Sequence, residues 1–140
     1  MPSTPYESAT LLIRLYELRR EPTMREARNW YAREFNPTSI DGVMQAMSGP
    51  HSGHFRMTTS YWDMAASFVL NGAIDEKMFG DANGEQFVVL AKIEPFLTAY
   101  RAKMGNPGYL GSLEKLVMNR PGAAEMMASI RERFKAMAPR

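Results

Sequence analysis

His51 and His54 stand three residues apart in "SGPHSGHF" and are the chain's two imidazoles. Two imidazoles can share a metal, but a catalytic zinc takes three protein ligands and keeps one position open. A third ligand, from Asp63 or Glu94, would have to come from a distant part of the chain. His51 and His54 are thus weak metal candidates, surface-loop histidines are the simpler reading, and no metal is expected. Glu94 lies between Ile93 and Pro95 in a strongly apolar segment, with Tyr100 and Arg101 within two helical turns. A carboxylate enclosed there would have a raised pKa and serve as acid or base. A carboxylate turned outward at a proline kink is the plainer alternative. The chain has no Gly-x-Ser-x-Gly, no phosphate loop and no dinucleotide-type glycine pair. No catalytic residue is assigned, no cofactor is expected, and an enzyme ranks last among the possible functions.

Residues 14–33 carry six arginines, at 14, 19, 20, 25, 28 and 33, beside Trp30 and Tyr31. Arginine interleaved with aromatics can bind single-stranded nucleic acid. Glu17, Glu21, Glu26 and Glu34 are interspersed and leave a local excess of only two positive charges. Glu17 with Arg20 and Glu21 with Arg25 have the spacing of helix-surface pairs, so a solvated, self-paired face is expected and nucleic acid is the weaker alternative.

The stretch "SYWDMAASFVLNGAIDEKMFGDANGEQF", residues 60–87, invites two further readings. As a helix-turn-helix it would read DNA from Ile74 onward, but Asp75, Glu76, Asp81 and Glu85 outweigh Lys77 there, the wrong sign for a phosphate-lined groove. As a calcium loop, one register puts Phe79 and Leu90 where carboxylates belong, and the other puts Gln86 where glycine is needed. A glycine turn followed by a helix accounts for the residues better. Tyr61, Trp62 and Phe68, with Glu94 and Tyr100, are the candidates for a small-molecule pocket walled by aromatics and some of the twelve methionines.

Positioning these residues falls to helices. Residues 6–20 have a narrow polar stripe of Glu7, Thr10, Arg14 and Glu17, with apolar residues on most other sides. Such a helix is covered by its own domain or by a second copy, which makes Leu11, Leu15 and Leu18 interface candidates. Residues 23–35 form a second helix with Met24, Ala27, Tyr31 and Phe35 inward, and 39–48 a third with Ser39 as its cap. "SGPHSGHF" is a loop by composition. A helix over 58–71 is capped by Thr58, Thr59 or Ser60 and stopped by Asn71-Gly72. A single turn over Asp75–Phe79 leads into Gly80-Asp81-Ala82-Asn83-Gly84. Residues 85–104 are the longest periodic segment, and Pro95 removes the donor to the Ala91 carbonyl, kinking or splitting it. Helices over 109–118 and 122–137 follow. The last carries Ala123, Met127, Ile130, Phe134 and Met137 as a seam for another helix, so Ile130 and Phe134 join the interface candidates. No segment alternates with period two over more than a few residues. The expected fold is all-α, a single-domain helical bundle of six to eight helices over 1–140, one kinked at Pro95, with flexible ends at 1–5 and 138–140.

The chain has 140 residues, 45% hydrophobic and 23% charged, as a single globular domain would. It has no cysteine, which excludes disulfides, thiolate metal sites and cysteine nucleophiles. Its longest apolar run, Phe87 to Ala91, is far short of the roughly 18 to 20 residues that span a bilayer. The N-terminus shows no basic region leading into an apolar one, so no signal peptide, no membrane partner and a cytoplasmic location are expected. Net charge is +2, but residues 57–100 are acidic and 101–140 basic. Pairing between the two is the expected use of that asymmetry, and a basic surface for an anionic partner is the alternative.

"LYELRREPTMREARNWYAREF", "RMTTSYWDMAASFVLNGAIDEKMFGDANGE" and "AKIEPFLTAYRAKMGNPGYLGSLEKLV" resemble a small bacterial family of uncharacterised helical proteins, of the domain-of-unknown-function kind, over most of residues 6–118. The resemblance implies an all-helical bacterial protein and brings no activity, cofactor or site residue with it.

The leading functional expectation is a non-enzymatic cytosolic helical protein acting through protein contacts or self-association, as a homo-oligomer. A sensor-like small-molecule-binding domain comes second, with its pocket near Trp62 and Glu94. Nucleic-acid binding through residues 14–33 comes third.

Overall fold

The computed structural model describes residues 2–137. The expected ends at residue 1 and at 138–140 lie outside them. The helical segments are α1 (Pro5–Arg20), α2 (Pro22–Arg33), α3 (Ile40–Ser48), α4 (Ser52–Leu70), α5 (Glu76–Ala82), α6 (Glu85–Ile93), α7 (Leu97–Met104), α8 (Gly111–Met118) and α9 (Ala123–Met137). A single 3₁₀ turn, Glu94–Phe96, joins α6 to α7. These two are halves of one helix that Pro95 interrupts, so the fold is all-α, with eight helices among the described residues. There is no strand among the described residues.

Local chemistry sets the helix ends. Thr4 and Glu7 form a reciprocal capping box at the start of α1, and Pro5 takes the first helical position. Ser3, within the expected end segment 1–5, donates from its backbone to the Gly72 carbonyl and from its hydroxyl to the Ala73 carbonyl. Glu21 serves two helices: its N–H donates to the Leu18 carbonyl, closing α1, and its carboxylate accepts from the Met24 N–H, opening α2. Ser39 caps α3 and Asp75 caps α5. Gly72 follows α4 at φ 82° and Gly105 follows α7 at φ 62°, left-handed positions that suit glycine.

The central element is α4. Its buried residues, including Phe55, Tyr61, Trp62, Ala65, Ala66 and Val69, occupy more than one face, because α2 and α8 both pack extensively against it and α3, α5 and α6 also touch it. Trp62 is fully enclosed, with Tyr61 and Phe79 edge-on at 5.0 and 6.4 Å. Truncating such a side chain to alanine costs about 3–5 kcal/mol. On α2, Met24, Ala27 and Tyr31 face inward as the periodicity requires, with Phe35 just beyond the helix. A further layer is made by α9, which lies along α6 and buries Met127 and Ile130.

The structure corrects several expectations. "SGPHSGHF" is mostly helix: α4 begins at Ser52, and only Gly49–His51 separate it from α3. The reason is Phe55, wholly buried against Phe35 and near Tyr100, which draws this turn onto the core despite its glycines. Thr58, Thr59 and Ser60 are consequently interior to α4 and not caps, and the Thr59 hydroxyl donates back to the Phe55 carbonyl. The turn at Asp75 does not stop at Phe79 but runs through Gly80 to Ala82, with Phe79 anchored in the core and the Asn83 amide donating to the Phe79 carbonyl. The segment 85–104 splits at Pro95, one of its two expected outcomes, but α8 starts at Gly111 instead of residue 109. Finally, of the two covers expected for α1, its own domain supplies little: the helix buries only Ser8 and Leu15.

Candidate functional site

The corner at Glu21-Pro22 folds α2 back against α1 and gathers arginines from both. In the last turn of α1 stand Arg19 and Arg20; Arg25 and Arg28 follow along α2 with Asn29 and Ala32, at the three- and four-residue steps that share one helical face. With Tyr16 and Glu85 they line an open concavity of about 560 Å³. Arg28 is fixed at its edge: Nε pairs with Glu85 Oε2 at 2.8 Å and Nη1 donates to the Arg19 carbonyl at 3.0 Å. The Arg19 guanidinium lies between the Trp62 ring, at 5.6 Å, and the Tyr16 ring, at 5.4 Å. Its Nε is buried without a hydrogen-bond partner among the described residues. Arg20 lies 5.6 Å from the Tyr16 ring.

The expected surface pairs Glu17–Arg20 and Glu21–Arg25 do not form. The Glu21 carboxylate is used instead at the start of α2, where the Met24 N–H holds it below the usual carboxylate range. Arginine spacing had pointed to this segment. The return of α2 against α1, which turns two short stripes into one concavity, had no local signal.

The residues expected to wall a small-molecule pocket fall in separate surroundings. Tyr61 and Trp62 are core residues, and the Tyr61 hydroxyl donates to the Leu15 carbonyl at 2.8 Å, tying α4 to α1. Burial pushes that hydroxyl up to about 12. Phe68 is 36% exposed on α4. Tyr100 is buried against Phe55 and Tyr109, 6.4 and 4.5 Å away. Glu94 turns outward beside Arg131, at 3.5 Å. Trp62 does not line the arginine concavity, and its ring lies 5.6 Å from the Arg19 guanidinium.

His51 stacks on His54 at 5.8 Å and on Trp30 at 5.3 Å, and the His54 ring is tilted against Trp30 at 6.2 Å, near Glu34. Parallel stacking gives these rings a packing role at the start of α4. Among the described residues no group of three or more metal-ligating side chains gathers.

Lys92 is the charged group that sequence reasoning missed. It is 6% exposed. Its ammonium contacts the carbonyls of Tyr31, Ala32 and Phe35 and Oδ1 of Asn36, at 2.8 to 3.1 Å, and Phe134 covers it at 4.4 Å. A cation there satisfies the carbonyls at the end of α2 and complements the helix dipole. Burial pushes the ammonium down to about 8, so it remains a cation at neutral pH. A groove of about 380 Å³ lies alongside, lined by Pro37, Phe96, Arg131 and Phe134 among others. With every proton of Lys92 directed at an oxygen of the fold, the amine is not presented as a nucleophile.

The five interface candidates divide. Leu15 and Ile130 are consumed by the core, at 5% and 4% exposure, and Phe134 is half-buried over Lys92. Leu11 and Leu18 are exposed on α1, as are Tyr6, Ile13 and Tyr16. No helix among the described residues is long and apolar enough to cross a membrane.

No curated protein and no solved structure matches the chain. One protein family does: its profile, described as "Domain of unknown function (DUF4760)", covers residues 6–119 and so takes in the arginine corner, the Lys92 contacts and the divided helix. The chain belongs to that family, DUF4760.

Proposed function

We propose that this is a non-enzymatic helical protein that works by self-association through α1. The observation that carries the reading is the exposure of α1. Sixteen residues long, it leaves Ile13 at 59%, Tyr16 at 51% and Leu18 at 54% exposed. Scattered surface apolar residues are ordinary, but this many along one helix make a patch of the kind that other proteins cover.

The outward face is also self-complementary. Its polar stripe alternates in sign, Glu7, Arg14, Glu17. Ile13 and Tyr6 flank one side of the stripe and Leu11 and Leu18 the other, by helical spacing. An antiparallel second copy of α1, with the two-fold axis between Arg14 and Glu17, sets Arg14 of each copy opposite Glu17 of the other. Apolar flanks then meet apolar flanks, as a two-fold interface requires. Light scattering should give about twice the 15.9 kDa of one chain. The Ile13→Glu, Leu18→Glu double variant replaces exposed side chains and should return the mass to that of one chain. A wild-type mass of one chain at every concentration overturns the reading.

A further inference from the structure

We propose that the arginine concavity between α1 and α2 is a binding site for a small molecule bearing two or more phosphate groups. This inference is independent of self-association. Arg19, Arg20, Arg25 and Arg28 line the site with Glu85 as the one acidic residue in the lining, and Glu85 is already engaged by Arg28. Arg19, Arg20 and Arg25 have no carboxylate partner among the described residues. Three guanidiniums without a carboxylate, drawn together beside the paired Arg28, repel one another, and a multiply charged anion relieves that repulsion.

The second observation is the Arg19 guanidinium, on a side chain that lines the concavity and lies 5.6 Å from the Trp62 ring and 5.4 Å from the Tyr16 ring. An oxyanion is the acceptor that a guanidinium takes most strongly. Packing between the Trp62 and Tyr16 rings pre-orients this fork. Arg28 is held in place from behind by Glu85 and the Arg19 carbonyl. The volume of about 560 Å³ suits a ligand of metabolite size. Tyr16, half-exposed at the rim, offers a flat face to any ring carried by the ligand.

The test is calorimetric titration of the full chain with inorganic tripolyphosphate, repeated at rising salt. Saturable binding of one anion per chain is expected, weakening as salt screens the charges. The Arg20→Ala, Arg25→Ala double variant changes two exposed side chains, and its helical circular dichroism should match wild type. Its affinity should fall at least tenfold, about 1.4 kcal/mol. Arg28→Lys keeps the charge but loses the fork and should also bind more weakly, whereas Arg133→Ala, on α9, should bind as wild type does. Absence of saturable binding, or equal binding by the double variant, overturns the proposal. So does a single-stranded oligonucleotide of about twelve nucleotides that binds at least tenfold tighter than tripolyphosphate, which would assign the arginines to a nucleic-acid backbone.

Discussion

Arg131 Nη1, on α9, donates to the Ala91 carbonyl at 3.1 Å. That carbonyl is the one Pro95 deprives of its ordinary helical donor, since proline has no N–H. A side chain forty residues away supplies what the local backbone lacks, and the same guanidinium lies 3.5 Å from Glu94. The division between α6 and α7 is therefore secured by the last helix, and a mutational cycle follows from it. Arg131→Ala should cost about 1–2 kcal/mol by leaving the Ala91 carbonyl unpaired. With Pro95→Ala in the background, residue 95 regains an N–H, and the cost of Arg131→Ala should shrink by about 1 kcal/mol. Urea denaturation of the four proteins measures the coupling, and strictly additive costs would refute it.

Lys92→Met keeps most of the side-chain volume but withdraws the donor from the Tyr31, Ala32 and Phe35 carbonyls. Destabilisation of about 2–3 kcal/mol is expected. The loss should be local first: amides in the last turn of α2 should exchange with solvent faster than those of α4. Uniform protection in the variant would contradict this role for Lys92.

Stability should pass through a maximum in mildly alkaline solution. Burial holds the folded Lys92 ammonium at about 8, against an ordinary 10.5. Between these values the unfolded chain binds a proton that the folded chain has released, so stability rises with pH, by at most about 1.4 kcal/mol per pH unit. Burial has the opposite effect on Tyr31, Tyr61, Tyr100 and Tyr109, whose hydroxyls are all pushed up. Above about pH 10, the ordinary tyrosine value, the unfolded chain loses phenol protons that the folded chain keeps, and stability falls. Urea midpoints measured across this range should show the rise and then the fall. In Lys92→Met the rise should vanish and the fall remain.

Tyr61→Phe removes the hydroxyl that reaches the Leu15 carbonyl. A loss of about 1 kcal/mol is expected. Hydrogen exchange of α1 should quicken relative to that of α4. An unchanged ratio would mean that the remaining contacts, Leu15, Ser8 and the Arg28 bond to the Arg19 carbonyl among them, hold α1 in place.

Much of the helical layout was legible in the residues. Ser39, Asn71-Gly72 and Pro95 mark their boundaries because caps, glycine stops and proline act over a few residues. The inward stripe of α2 was legible too, since Met24, Ala27 and Tyr31 recur at helical spacing and are buried. Legibility failed where a distant contact outweighed local preference. His51-Ser52-Gly53-His54 reads as loop, yet Phe55 in the core and Trp30 beneath the imidazoles bring the start of α4 onto the fold. Gly80 reads as a stop, yet Phe79 against Trp62 carries the helix past it.

The candidate site divides in the same way. That residues 14–33 are rich in arginine, that Glu94 adjoins a proline break, and that α1 is apolar beyond one narrow stripe are properties of the chain alone. Periodicity and side-chain chemistry are local, and they determined an all-helical protein with its breaks at Asn71-Gly72 and Pro95. Only the tertiary structure decided that Arg19, Arg20, Arg25 and Arg28 face one concavity, that Lys92 closes the end of α2, and that α1 turns its apolar flanks to solvent. Each of those outcomes depends on which helix lies against which, and that is set by burial summed over the whole chain rather than by any stretch of it.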